Sequence, residues 1–193
     1  MIKQRILGLV VVSMFLLATN GCPLFPAPVP RTGQTTSYAP GDDGDLQIGV
    51  VWPDPRFTDN EDGTITDNLT GLIWLKNANC FGQRNWDQAL SDCNGLSGGY
   101  CGLTDGSNAG DWRLPNYREL FSLIDAENYN PALPNGHPFT YVQSSYYWSA
   151  TTDASSTGGA WSVHFGCGYL YGGGKLSNLY VWCVRGGHGY DAY

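Results

Sequence analysis

A thiol and an imidazole fall three residues apart at Cys167 and His164, and a second late thiol follows at Cys183. Residues of these types make three kinds of site. A histidine within hydrogen-bond reach of a cysteine takes its proton and frees a nucleophile. Convergent cysteine and histidine side chains hold zinc. Two neighbouring cysteines run redox chemistry. The surrounding pattern argues against the first two. Trp161, Val163 and Phe165 alternate with Ser162, His164 and Gly166, as in a strand with one face on a core. In that setting His164 and Cys167 are predicted to point to opposite faces. Neither a metal nor a cofactor is called for. His137 lies in a proline-flanked loop and His188 near the terminus, and both read as exposed histidines without catalytic work.

The same stretch offers recognition chemistry instead. Near the end of the chain Leu179, Val181 and Cys183 are predicted to face in, and Tyr180 and Trp182 out. Between the two runs lies Gly168-Tyr169-Leu170-Tyr171-Gly172-Gly173-Gly174. Aromatic side chains give contact area at low entropic cost, and small residues give adaptability. The predicted ligand-binding set is therefore Ser162, His164, Tyr169, Tyr171, Tyr180 and Trp182. An ordinary amphipathic hairpin would carry the same alternation, since aromatics favour strands. With no convergent acid–base set, a binding module is expected rather than an enzyme.

The elements that must position these residues are legible upstream. Asp62-Gly63 and Asn68-Leu69-Thr70-Gly71 are turns between short β runs that start at Arg56, Thr64 and Leu72. The acidic residues Asp59, Glu61, Asp62 and Asp67 do not follow calcium-loop spacing and read as turn chemistry. Asn85 with Gln88 is a capping-box variant. It opens a helix whose Trp86, Ala89, Leu90 and Cys93 share one buried face, with Gly95 as a stop. Cys93 then points inward, which favours a structural disulfide over a reactive thiol. A second helix is predicted after Pro115, capped by Asn116 with Glu119, its apolar stripe Leu120, Leu123 and Ile124.

The chain's beginning and composition bound what this domain is for. Lys3 and Arg5 precede an apolar stretch over 6–18, too short for a stable span, which reads as an export signal over 1–21. It ends at Gly21-Cys22, similar to the lipobox of bacterial lipoproteins, so Cys22 is the predicted lipidation site and Pro23 points to the outer membrane. Residues 22–55 carry Pro23, Pro26, Pro28, Pro30, Pro40, Pro53 and Pro55 and are predicted to be an extended tether. Residues 56–188 are then the folded domain. A formal charge of -7 removes the basic footprint that nucleic acid requires. In an oxidising compartment cysteines pair. Apart from Cys22 there are five, Cys80, Cys93, Cys101, Cys167 and Cys183, so one is left over.

Arg56-Phe57-Thr58-Asp59, Asp67-Asn68-Leu69-Thr70-Gly71-Leu72-Ile73-Trp74, Asp111-Trp112-Arg113-Leu114-Pro115-Asn116, Tyr147-Trp148-Ser149-Ala150-Thr151 and Cys183-Val184-Arg185-Gly186-Gly187 resemble, in order, the motifs of the Lcl C-terminal domain family. That family is similar to C-type lectin folds of the formylglycine-generating-enzyme type. The resemblance implies an α+β, C-type lectin-like domain with two helices and a twisted antiparallel sheet. It also implies a Cys93–Cys183 bridge, allows Cys80–Cys101 as a second, and leaves Cys167 odd. Its enzyme alternative is a redox pair of Cys167 and Cys183. Some lipoproteins of this fold are diversified by retroelements that mutate template adenines. Every residue of the predicted binding set except Trp182 is reachable from an asparagine codon that way, and Trp182 from an arginine codon. Drift in a tolerant loop accounts for the same residues. The implied function is a surface-anchored lipoprotein that binds a protein or glycan.

Overall fold

The computed structural model describes residues 29–186. The export signal over 1–21, Cys22 and His188 lie outside them. The fold is α+β. Strands β1 (Phe57–Asp59), β2 (Thr64–Asp67) and β3 (Leu72–Leu75) form where the turn residues predict. Asp62 Oδ1 accepts from the Thr64 amide at 3.0 Å and its hydroxyl at 2.6 Å, closing the first turn. Gly63 holds φ +87°, and a Cβ there would stand 2.4 Å from the Gly102 carbonyl oxygen. The acidic residues of this region thus work as turn formers and ion-pair partners. Asp59 meets Lys76 at 2.6 Å, and Asp67 meets Arg56 at 2.9 Å.

Helix α2 (Trp86–Gly95) starts at the expected box, with Asn85 accepting from the Gln88 amide and Gln88 from the Asn85 amide. Helix α3 (Tyr117–Phe121) starts at the same device on Asn116 and Glu119. Ala89 and Cys93 bury the inner face of α2; Leu120 carries α3 into the core, and the helix ends before Leu123, which is buried just past it.

Where one sheet was expected there are two. β1-β2-β3 is completed by β9 (Val184–Gly186) in antiparallel register. The second sheet runs β4-β8-β5-β6-β7. Its strands are β4 (Gln83–Arg84), β5 (Tyr146–Thr152), β6 (Gly159–His164), β7 (Tyr169–Gly174) and β8 (Leu179–Tyr180). The β5–β8 contact is parallel, so this sheet is mixed. The chain leaves the second sheet after Tyr180 and enters the first at Val184. Val181, Trp182 and Cys183 make that crossing and are fully enclosed. Trp182 packs on Trp74, Phe139, Tyr147 and Phe165 at centroid distances of 4.8–5.6 Å. Its indole N–H donates to the Leu75 carbonyl at 2.8 Å.

Two disulfides fasten this arrangement. Cys93–Cys183 ties α2 to the crossing, and Cys80–Cys101 spans the flanks of α2. Bridges of this kind stabilise a small domain by about 2–5 kcal/mol.

Residues 29–55 do not extend away as a tether. They double back and pack on the domain. Pro30 bridges Val50, and the Arg31 amide donates to the Val50 carbonyl at 3.0 Å. A short helix, α1 (Asp43–Leu46), is capped by Asp42. The Thr35 and Thr36 amides both donate to the Glu127 carboxylate, at 2.7 and 3.0 Å. The Trp52 indole donates to the Arg31 carbonyl at 2.9 Å, and its ring lies 4.6 Å under the Arg56 guanidinium. Prolines and polar residues dominate the composition, but one tryptophan and a set of side chain-to-backbone bonds suffice to dock the segment.

Candidate recognition face

Strands β6 and β7 pair over six successive positions, from Gly159↔Gly174 to His164↔Tyr169. On the other side of β6, Tyr146 of β5 pairs with His164. Tyr146, His164 and Tyr169 therefore stand in one row across three strands, on one face. The rings meet. His164 stacks on Tyr169 at 5.1 Å with 6° between planes, and Tyr146 meets His164 edge-on at 4.4 Å. Tyr171 stands 5.3 Å from Tyr146. Tyr169 and Tyr171 are exposed, Tyr146 and His164 partly so. β7 is the last strand of its sheet and buries only Gly173. A Cβ at that glycine would stand 3.1 Å from the Trp148 ring, so the buried ring would have to give by a few tenths of an ångström.

The Tyr146 and Tyr169 hydroxyls share a short hydrogen bond. That bond is the main cause that pushes the Tyr169 phenol up to about 12, with desolvation next. The folded chain keeps a proton that an ordinary tyrosine releases near pH ~10. This contribution to stability is complete below that pH and is lost as pH rises through about 12. In an absorbance titration, the difference between wild type and Tyr169→Phe is expected to show one phenol ionising near pH 12. Tyr146→Phe is expected to bring it back toward the ordinary value. An ordinary value in the wild type would mean that the two hydroxyls do not meet.

The predicted binding set is only partly gathered here. His164, Tyr169 and Tyr171 lie together. Ser162 is buried, because it sits between Trp148 of β5 and Tyr171 of β7, whose large side chains cover it, and its hydroxyl donates to the Tyr171 carbonyl at 2.9 Å. Tyr180 is half-buried and packs on Tyr147 at 5.5 Å, away from the row. Trp182 is in the core, because strand alternation ends where the chain crosses between sheets and is enclosed on every side. Tyr146 went unnoticed in the sequence. Its signal was there: Tyr147 faces the core, so its neighbour in the strand faces the other way.

The relation of His164 to Cys167 also differs from expectation. β6 ends at His164, and residues 165–168 form a turn that curls back. Cys167 Sγ comes to 3.3 Å from His164 Nδ1. Cys183 is joined to Cys93, so it makes no pair with Cys167. Cys167 and Gly168 also line a cleft of about 500 Å³. Trp52, Tyr117, Phe121 and Ile124 form most of its apolar wall, and Val29 and Pro30 of the docked N-terminal segment close one side.

The sequence motifs that carried the resemblance build the frame rather than this face. Trp112 is fully buried, and Arg113 pairs with Val184 through backbone bonds of 2.9 Å in both directions. The Arg113 guanidinium grips the Glu119 carboxylate with two bonds of 2.7 Å. Arg185 meets Asp105 at 2.9 Å and lies over Trp112. The family model described as the Lcl C-terminal domain matches residues 63–185. No curated protein matches the chain.

Proposed function

Because the chain belongs to the Lcl C-terminal domain family, we propose that its domain is a ligand-binding module and that Tyr146, His164, Tyr169 and Tyr171 meet the ligand. One observation carries this reading. Four aromatic side chains form a continuous patch at a sheet end, and the two on β7 add nothing to the core. Rings so placed stack on flat apolar groups, while their hydroxyls and the imidazole give and accept hydrogen bonds. A protein or glycan surface offers both. The chemistry is recognition without a cofactor. In this reading the module is exported, anchored by lipid at Cys22 and displayed at the outer membrane, and its C-type lectin-like likeness and diversified β7 region belong to the same proposal.

The test screens the full chain against arrayed glycans and displayed peptides, beside a Tyr169→Ala/Tyr171→Ala variant. Loss of two contact aromatics is expected to weaken capture by about 30-fold or more, at roughly 2 kcal/mol for a hot-spot truncation. Melting temperature is expected to fall only slightly, since both side chains are exposed and the loss is confined to the Tyr146 bond, the stacking on His164 and the cover over Ser162. Unchanged capture by the double variant overturns the assignment of this face. In cells, Cys22→Ala is expected to move the chain into soluble fractions or block its maturation. A variant that stays in membranes and migrates like wild type removes the anchor from the proposal.

A further inference from the structure

Cys167 is the free cysteine among the described residues, and it is exposed. It does not stand alone. Its Sγ lies 3.3 Å from His164 Nδ1, and the Gly166 amide donates to that same nitrogen at 3.1 Å. A nitrogen that accepts a backbone N–H carries no proton of its own, so the neutral ring holds its proton on Nε2. Nδ1 then carries the lone pair that can receive the thiol proton, and it gives up the Gly166 N–H as it does so.

The geometry is held from several sides. Tyr169 stacks flat on the imidazole and Tyr146 meets its edge, which fixes the ring plane. Gly166 makes room for it, since a Cβ at this position would stand 2.5 Å from His164 Cε1. Gly168 closes the turn at φ +71°, and a Cβ there would stand 2.8 Å from an Ile124 methyl. The turn therefore seats the sulfur against the imidazole, and Cys167 also lines the largely apolar cleft.

We infer that Cys167 and His164 are a nucleophile–base pair, and that this thiol captures disulfide-bearing ligands covalently by thiol–disulfide exchange. The thiol proton passes to Nδ1 of His164. The thiolate attacks one sulfur of the ligand's disulfide. A new bond forms between Cys167 Sγ and that sulfur as the ligand's own S–S bond breaks. The departing thiolate takes the proton back from His164 and leaves as a thiol. The protein thiol and ligand disulfide become a mixed disulfide and a free thiol, so no outside oxidant is needed. The cleft beside the sulfur accepts the apolar portion of the captured group. The capture shares His164 with the tyrosine row, but it is read out by adduct formation on Cys167 and does not rest on noncovalent recognition by that row.

The test follows release of pyridinethione when the full chain meets dithiodipyridine near neutral pH. Four chains are compared: wild type, His164→Gln, Gly166→Ala and Cys167→Ser. Wild type is expected to react about tenfold or more faster than His164→Gln. Gly166→Ala keeps both reacting groups but pushes the ring aside, and is expected to fall to the same slow rate. In concentrated urea the three cysteine-bearing chains are expected to react alike, because the effect lies in the folded turn. Cys167→Ser is expected to lose the fast phase, and mass spectrometry of the wild type to find the adduct on Cys167. Equal rates for wild type and Gly166→Ala in the native state overturn the inference even if His164→Gln fails to fold. So does a rate difference that survives urea, or a fast phase that persists without Cys167.

Discussion

Trp182→Ala is expected to bring the domain to the edge of unfolding. The ring is fully enclosed and touches Trp74, Phe139, Tyr147 and Phe165. Removing a core tryptophan costs about 3–5 kcal/mol, through lost burial and the cavity left behind. The Leu75 carbonyl also loses its donor, and an unmet buried acceptor costs roughly 1–3 kcal/mol more. A domain of this size has about 5–15 kcal/mol in all. Trp182→Phe keeps most of the volume and loses mainly the hydrogen bond, so it is expected to fall between the two. Denaturant titration followed by circular dichroism, disulfides intact, ranks the three chains. A wild-type midpoint for Trp182→Ala would mean that the side chain faces solvent after all.

Asp67→Ala is expected to cost a similar amount by a different route. Asp67 is fully buried and accepts from Arg56 at 2.9 and 3.0 Å, from the Leu69 amide at 2.9 Å and from the Thr70 hydroxyl at 2.7 Å. Without it Arg56 is an uncompensated buried cation, a loss of about 3–5 kcal/mol. Arg56 also donates to the Ser122 carbonyl at 3.1 Å and covers Trp52. The pair thus joins the first hairpin, the end of α3 and the docked N-terminal segment. Arg56→Met with Asp67→Leu removes both charges together, and is expected to recover much of the loss because no lone charge remains. If the double variant is as unstable as Asp67→Ala, the cost comes from the turn bonds to Leu69 and Thr70 instead.

What the sequence made legible was local. Asn85 with Gln88 and Asn116 with Glu119 announce helix starts, because capping bonds involve near neighbours. Asp62-Gly63 announces a turn for the same reason. The core side of β6 follows from the same kind of local pattern, whereas the α+β class is what the family resemblance implies. The failures all concern what lies across space. Ser162 alternates correctly with Val163, but its exposure depends on Trp148 and Tyr171 from other strands. Trp182 keeps the strand's parity in the sequence after the strand has ended. Strand alternation separates His164 from Cys167 only where β6 continues, whereas a turn begins at Phe165. Residues 29–55 carry a linker's composition, and nothing local reveals that Glu127 waits for the Thr35 and Thr36 amides.

β7 has five of its six residues exposed, and only Gly173 is buried, close against Trp148. Its neighbour β6 supplies the frame, and the core is sealed by the crossing at 181–183 with its disulfide. If the proposed binding role holds, specificity and foldability are written in different parts of the chain. A lineage can replace Tyr169, Leu170, Tyr171 or Gly172 and try a new partner at little risk to the scaffold, whereas changes one strand inward are tested first by whether the protein survives at all.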